Sequence, residues 1–184
     1  QWGSTDYLFT INDLREFGDY VGHHGLVMEN GLPSDATVTV NRPAGYVYDL
    51  VAGRQVQAQT ERDRLMIPVA LGPCEGRVLM ITERPIAQVN ITGADTVARG
   101  GKLTLAVTVA DEAGQAVDAV VPVHVEIQDA ASQVAEFSGY YGAADGKMQI
   151  ELDIAPNDVP GVWSVRATEL ASGRDAVGYF RVSR

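Results

Sequence analysis

Apolar and polar residues alternate at every second position along most of the sequence. The run Leu103-Thr104-Leu105-Ala106-Val107-Thr108-Val109 shows this best, and residues 64–71 repeat it. Alternation over about four to eight residues is typical of a strand with one buried face. No window carries an apolar stripe at helical spacing beyond a single turn at residues 11–16. The sequence therefore predicts an all-β chain.

The length and one interruption predict two domains. A chain of 184 residues suits one large or two small domains, since a domain typically has about 100–150 residues. Arg84-Pro85 interrupts the strand pattern, and proline cannot donate to a sheet ladder. We expect two tandem antiparallel β-sandwiches, in residues 1–84 and 85–184.

The second domain carries a regular series of short strand candidates separated by turn residues. They lie at 86–92, 102–110, 119–128, 133–140, 147–154, 161–169 and 175–182. About seven short strands in about 100 residues are the pattern of an immunoglobulin-like sandwich. Since Cys74 is the only cysteine, the usual disulfide between the sheets cannot form.

The first domain is less regular. Its strand candidates lie at 6–11, 36–41, 45–50, 54–59, 63–71 and 76–83. Residues 16–34 are interpreted as a long irregular loop, with a strand around residues 25–29 as the alternative. Loops of that length inside a compact domain are often functional or packed against a partner. These patterns predict a small antiparallel sandwich or barrel.

Three segments of the first domain carry a resemblance to a known family. They are Val47-Tyr48-Asp49-Leu50-Val51-Ala52-Gly53, Ile67-Pro68-Val69-Ala70-Leu71-Gly72-Pro73 and Gly76-Arg77-Val78-Leu79-Met80. Together with an opening strand at residues 6–12, they resemble the small β-sandwich that follows the catalytic barrel in many bacterial glycoside hydrolases. The sequence contains no such barrel. The resemblance therefore implies an appendage of such an enzyme rather than its chemistry.

The second domain is similar to bacterial immunoglobulin-like and macroglobulin-type spacer domains. Three runs carry the resemblance: Gly100-Gly101-Lys102-Leu103, Val121-Pro122-Val123-His124-Val125-Glu126-Ile127 and Pro160-Gly161-Val162-Trp163-Ser164-Val165. In such modules, a Pro-Gly-x-Trp turn buries the tryptophan in the core. The resemblance implies a stalk or a packing surface within a large secreted protein.

Charge and composition narrow the function classes. The 14 basic and 24 acidic residues give a formal charge of −10, which disfavours nucleic acid and anionic membranes as partners. No apolar stretch approaches the roughly 20 residues of a membrane span, so we expect no membrane insertion. Cys74 lies in a turn without a basic neighbour and is interpreted as an unreactive thiol.

The sequence predicts no enzymatic activity. Retaining glycosidases need two carboxyl groups about 5 Å apart in a large cleft. The pairs considered were Asp49 with Glu61 or Asp63, and Asp111 with Glu112, all of which lie in turns of small sandwiches. The sequence also has neither a Gly-x-Ser-x-Gly elbow nor a phosphate-binding glycine loop.

The metal candidates are few. His23 and His24 are adjacent, and adjacent residues in extended chain point to opposite sides, so we expect solvated loop histidines rather than a shared metal. His124 is predicted to face away from the valines on either side. Calcium has a better candidate in the oxygen donors of Asp153, Asn157 and Asp158, which are equally consistent with an ordinary turn. No other cofactor is expected.

Exposed aromatic side chains could bind carbohydrate, because the apolar faces of pyranose rings pack on aromatic rings. Tyr140 and Tyr141 are the best candidates, since adjacent residues of a strand point opposite ways and one of them should be exposed. Tyr46 and Trp2 are the next candidates.

Three hypotheses about function follow. The first is a non-catalytic accessory module that braces or spaces a glycoside hydrolase-like catalytic domain, with the remaining domains of the parent polypeptide as its partners. The second is a carbohydrate-binding module with a polysaccharide as ligand. The third is an adhesin-like, protein-binding module that uses residues 16–34. The chain opens directly into strand-like sequence, so we expect a piece of a larger bacterial protein that is secreted or belongs to the cell envelope.

Overall fold

The structure, a computed structural model, describes residues 1–21 and 27–184. Within these residues all regular secondary structure is β-strand, which confirms the predicted all-β class. The described part of the chain accordingly has no apolar helix of membrane-spanning length. The chain divides into two compact units. The first unit is Asp6–Ile81, and the second unit combines Gln1–Thr5 with Thr82–Arg184.

The described strands of the first unit are arranged in two sheets and a hairpin. The strands are β1 (Asp6–Ile11), β2 (Arg15–Val21), β3 (Val27–Gly31), β4 (Ser34–Val40), β5 (Tyr46–Asp49), β6 (Arg54–Val56), β7 (Gln59–Glu61), β8 (Arg64–Leu71) and β9 (Gly76–Thr82). One sheet has the order β1-β9-β5-β6, the other β4-β8-β7, and β2 pairs with β3. The β1–β9, β4–β8 and β2–β3 pairs are antiparallel.

The core of the first unit lies between its two sheets. On β8, every second side chain is buried while Arg64, Pro68 and Ala70 are exposed, as the alternation predicts. The core cluster takes residues from both sheets: Val47, Leu65, Ile67, Val69, Leu71, Leu79 and Ile81. Burying such side chains contributes about 1.5–3 kcal/mol each. Two sheets with a shared apolar interior form a small sandwich.

The second unit also consists of two sheets. Its strands are β10 (Gln88–Thr92), β11 (Thr96–Ala98), β12 (Lys102–Ala110), β13 (Val121–Gln128), β14 (Gly139–Ala143), β15 (Lys147–Asp153), β16 (Gly161–Glu169) and β17 (Asp175–Ser183). The sheets have the orders β10-β12-β15 and β11-β17-β16-β13-β14. β11 pairs with β17 in parallel, whereas the β13, β14, β16 and β17 neighbours pair antiparallel. The description as immunoglobulin-like stays a prediction.

The core of the second unit follows directly from strand alternation. β12 and β13 bury every second residue, and so does β16. Trp163 is buried on β16, with its ring centroid 5.6 Å from that of Phe180, and its indole N–H donates to the Val159 carbonyl at 2.9 Å. The burial expected for this tryptophan is therefore observed.

Residues Gln1–Thr5 belong to the second unit although β1 to β9 follow them in the chain. Trp2 and Thr5 exchange two backbone hydrogen bonds, which closes a tight turn. The Ser4 amide donates to Asp118 Oδ2 at 2.7 Å, and the Trp2 indole donates to Asp145 Oδ1 at 2.8 Å. The second unit is thus built from two separate parts of the sequence.

Three strand predictions were wrong. Residues 16–34 are not one irregular loop, because β2 and β3 form an antiparallel hairpin; the alternative strand at 25–29 overlaps β3, and its first residues lie outside the described ones. Residues 133–140 hold an isolated bridge at Val134 and then a turn, and the strand there starts only at Gly139. β11 has just three residues and was not predicted.

Candidate binding surfaces

The outer face of the five-stranded sheet in the second unit carries an exposed aromatic pair. Tyr140 on β14 is 78% exposed and lies opposite His124 on β13. The two ring centroids are 4.7 Å apart, with an angle of 38° between the ring planes. As predicted, His124 faces away from Val123 and Val125, which are both buried. This arrangement leaves one face of the tyrosine ring open to a ligand.

The three tyrosines predicted to bind carbohydrate do not come together. Tyr141 points to the other side of β14, where it is half-buried and its hydroxyl donates to the Phe137 carbonyl at 2.6 Å. Tyr46 lies in the first unit and is partly exposed. Tyr140 and Tyr141 thus point to opposite sides of the strand, as alternation predicts, and of the two only Tyr140 has an exposed ring.

Tyr179 is a further exposed aromatic residue, which the sequence reasoning missed. It lies on β17 and is 68% exposed, whereas its neighbour Phe180 is buried. Beside it lies a depression of ≈ 270 Å³, which the two sheets leave open near the end of β10. Its lining includes Thr92, Asp95 and Gly178. Alternation around Phe180 and Val182 was the signal that could have identified Tyr179.

Four exposed apolar side chains of the first unit lie close together in the sequence. Phe9 and Ile11 on β1 are 75% and 78% exposed, and Phe17 on β2 is 81% exposed. Leu14, between these strands, is also exposed. We call Phe9, Ile11, Leu14 and Phe17 the apolar segment. Phe9 and Ile11 lie on β1, which is an edge strand of its sheet, and the other two residues follow it in the chain.

The predicted calcium ligands have partners within the protein. Asp153 Oδ1 lies 3.2 Å from Lys102 Nζ on the neighbouring strand. Asp158 Oδ2 accepts a hydrogen bond from the Ala155 amide at 2.7 Å, which is the contact of an ordinary turn, and Asn157 is exposed. Calcium binding there stays a prediction. In the described part of the chain, no three His, Cys, Asp or Glu side chains gather in a way that could hold a metal.

The two adjacent histidines and the cysteine differ in whether the structure describes them. His23 and His24 lie outside the described residues. Cys74 is a free, exposed thiol in the turn between β8 and β9.

Two carboxylates considered for catalysis are held in turns. Asp49 Oδ1 accepts hydrogen bonds from the amides of Val51 and Ala52, both at 3.0 Å. Asp111 accepts from the amides of Ala113 and Gln115 and, through Oδ2, from Arg84 at 2.5 Å. The Gln115 hydrogen bond is the main reason why the pKa of Asp111 is lowered, with the Arg84 guanidinium adding to the effect although partial desolvation opposes it.

The other carboxylates of those pairs lie on the surface. Glu61, Asp63 and Glu112 are exposed. Asp63 has a φ of 61°, in the left-handed region that tight turns use. These positions are typical of carboxylates that shape or solvate turns.

Comparisons with known proteins found likeness only among solved structures. No protein-family model and no curated protein matches the sequence. The adhesin InvE of Yersinia pseudotuberculosis is 10% identical, with a TM-score of 0.43, over 83% of this chain and 49% of its own. A candidate membrane-anchored protein of Corynebacterium diphtheriae is 12% identical, with a TM-score of 0.40, over 96% and 48%.

A candidate beta-galactosidase of Bacteroides fragilis is 13% identical, with a TM-score of 0.35, over 80% of this chain and 30% of its own. The chain therefore spans half or less of each of these three structures. Likenesses at these TM-scores carry no argument about function.

Proposed function

We propose that this chain is a non-catalytic accessory module of a larger secreted or cell-envelope protein, and that it docks on another domain of the same polypeptide. The observation that carries the proposal is the exposure of the apolar segment in the first unit, where Phe9, Ile11 and Phe17 are each at least three-quarters exposed. Contacts between proteins draw most of their free energy from a few large side chains of this kind.

The setting of the apolar segment supports a protein partner over a small ligand. Phe9 and Ile11 lie on the same side of β1, since they are two residues apart, and both are exposed on the surface. Arg15 next to Phe17 pairs with Glu29 and Asp13, so mixed charges accompany the apolar residues. An apolar centre with a polar rim is the usual composition of a protein interface.

The test is a binding measurement between the chain and the other domains encoded in its reading frame, produced as separate fragments. The double substitution Phe9→Ser with Phe17→Ser is expected to weaken binding at least tenfold, because each truncated hot-spot residue contributes about 1–2 kcal/mol or more. Val51→Ser is the matched control, since Val51 is an exposed apolar residue of the same unit outside the segment. Undiminished binding by the double variant, or no binding by the wild type, would refute the proposal.

The proposed lack of catalysis rests on the use of the carboxylates. The carboxylate oxygens of Asp49 and Asp111 accept hydrogen bonds from turn amides and pair with arginines. Neither carboxylate is therefore available as a nucleophile or a general acid unless its turn opens. The chain is therefore expected to hydrolyse no chromogenic glycoside. Turnover that a single carboxylate-to-amide substitution abolishes would contradict this part of the proposal.

Carbohydrate binding is a second candidate function, favoured by the exposed ring of Tyr140 on His124. Affinity electrophoresis against soluble polysaccharides tests it. Tyr140→Ala is expected to weaken the retardation of the chain, whereas Tyr141→Phe should leave it unchanged, because the Tyr141 side chain faces the other side of the strand. Unaltered mobility of the wild type on every polysaccharide would remove this candidate.

A further inference from the structure

We infer that the depression beside Tyr179 is a second carbohydrate site, which takes one pyranose unit of a neutral polysaccharide. The inference rests on the second function proposed above, carbohydrate binding, and assigns it a place that is separate from Tyr140. It depends on four groups of the second unit: the Tyr179 ring, the Asp95 carboxylate, the Thr92 hydroxyl and the glycine at position 178.

The size of the depression matches a single sugar unit. Its volume is ≈ 270 Å³, just below the range of about 300–1,000 Å³ that is usual for small-molecule sites. Gly178 keeps it open, because a Cβ there would lie 3.4 Å from Ile91 across the depression. Gly93 also lines the depression, and its missing side chain allows the close approach of Leu105, which a Cβ would meet at 2.8 Å. The missing side chain at position 178 thus leaves room beside Ile91.

The lining has the two kinds of surface that a pyranose needs. Tyr179 supplies an exposed aromatic ring on which the apolar face of a sugar can stack. Ile91 and Phe180 extend the apolar floor. Asp95 and Thr92 supply a carboxylate and a hydroxyl at the rim, both in exposed positions. A carboxylate can accept hydrogen bonds from two neighbouring sugar hydroxyls at once.

The polar groups at the rim are available to a ligand. Among the described residues, the Asp95 carboxylate, the Thr92 hydroxyl and the Tyr179 hydroxyl have no hydrogen-bond or ion-pair partner. The Asp95 carbonyl, by contrast, accepts a hydrogen bond from the Arg181 amide at 2.8 Å, which fixes the backbone beside the depression. The backbone beside the depression is therefore fixed, while the polar atoms of these side chains have no partner within the described part of the protein.

Charge favours a neutral ligand over an anionic one. Asp95 is a negative charge at the rim, and the whole chain carries a formal charge of −10. A phosphate or an acidic sugar would be repelled by both. A neutral hexose or pentose unit has hydroxyls for Asp95 and an apolar face for Tyr179.

The test is affinity electrophoresis of the whole chain in gels that contain xylan, hydroxyethylcellulose, galactomannan or pullulan. For each polysaccharide that retards the wild type, Tyr179→Ala is expected to weaken binding about tenfold, because it removes the stacking surface. Asp95→Asn should weaken it too, since it keeps the shape but replaces one acceptor oxygen by a donor. Tyr179 is mostly exposed, so the alanine variant should fold normally.

A localising measurement completes the test. Titration with an oligosaccharide of the retarding polysaccharide should shift the backbone amide NMR signals of Gly93 and Gly178, and the parent monosaccharide should shift them at higher concentration. If the wild type binds, Tyr140→Ala weakens binding and Tyr179→Ala leaves it unchanged, the site at Tyr179 is refuted and carbohydrate binding itself stands. If the wild type is retarded by none of the four polysaccharides, both are refuted.

Discussion

Glu169 is a fully buried carboxylate whose replacement by glutamine should strongly destabilise the second unit. It ends β16, and the chain turns around it through residues 170–174 before β17 begins. Its carboxylate accepts hydrogen bonds from the amides of Ala171 at 2.9 Å, Ser172 at 3.0 Å and Arg174 at 2.9 Å, and also from the Ser172 hydroxyl. One side chain thus accepts hydrogen bonds from three backbone amides of the turn.

The size of this destabilisation follows from the fact that the NH₂ group of glutamine cannot accept a hydrogen bond. Whichever way the glutamine amide turns, its NH₂ group faces backbone N–H donors, and one or two of these donors lose their acceptor. Each buried donor left without a partner costs about 1–3 kcal/mol. The lower desolvation cost of a neutral amide offsets part of this. We therefore expect Glu169→Gln to lower the free energy of unfolding of the second unit by about 2–4 kcal/mol.

Urea unfolding followed by tryptophan fluorescence is the assay. Both tryptophans, Trp2 and Trp163, belong to the second unit, so the signal reports this unit. With a urea dependence of about 1–1.5 kcal/mol per M, the expected loss lowers the midpoint by about 2 M. Glu151→Gln is the control, because Glu151 is exposed on β15 and should change stability by less than about 0.5 kcal/mol. An equally small change for Glu169→Gln would refute the reasoning.

Three further predictions concern the second unit. Gly146→Ala should lower the free energy of unfolding by more than about 2 kcal/mol, because φ is 68° and the added Cβ would lie 2.7 Å from a backbone oxygen. Gly114→Ala is the comparison: φ is 76°, but the nearest contact of the Cβ is at 3.6 Å, so the loss should be only about 1 kcal/mol in the same urea titration. Trp163→Phe should cost about 2–3 kcal/mol by circular dichroism, since it loses volume and a hydrogen bond to a backbone carbonyl. The hydrogen bond from the Ser4 amide is the main reason why the pKa of Asp118 is lowered. This contact therefore contributes its full stability above pH about 4, and the contribution is lost as the pH falls through the folded-state pKa of Asp118. The melting temperature should thus fall less steeply below pH 4 in Asp118→Asn than in the wild type, and parallel curves would contradict this.

The strands that the sequence predicted well are those with one buried face. β12 and β16 begin and end at the predicted residues, because burial on one side imposes alternation in the sequence. β2 was missed for the opposite reason. Its Phe17 is 81% exposed, and Arg15 and Glu16 are exposed as well, so at residues 15–17 no buried face imposes a pattern.

The error at residues 133–140 has a local cause. Val134 forms only an isolated bridge with Gln128. The chain then turns at residues 135–138, where the Ser138 amide donates to the Ala135 carbonyl at 3.0 Å. The Ser138 hydroxyl accepts a hydrogen bond from the Ile127 amide of β13 at 2.9 Å, so a side chain replaces a backbone partner there. A side chain that bonds to backbone groups competes with strand formation, and apolar alternation does not report this competition.

The residues singled out in the structure differ in how well the sequence predicts their position. The exposure of Tyr179 follows from alternation with Phe180, and so it could have been predicted. Glu169 is different, because alternation assigns it to a buried position where a charge is not expected. Its burial is tolerated only because the following turn supplies donors to its carboxylate, and this depends on the path of the backbone.

The parallel pairing of β11 with β17 determines how the second unit responds to tension. Thr96–Ala98 lie beside Arg181–Ser183, and two flanking hydrogen bonds, from the Arg181 amide to the Asp95 carbonyl and from the Arg99 amide to the Ser183 carbonyl, extend the contact. A pull on the chain before β11 and after β17 acts along both strands in opposite directions. The hydrogen bonds are then loaded together in shear and must break together, whereas an antiparallel hairpin pulled at its open end breaks one bond at a time. We therefore expect this short parallel pair to resist such a pull more than an antiparallel hairpin of the same length would.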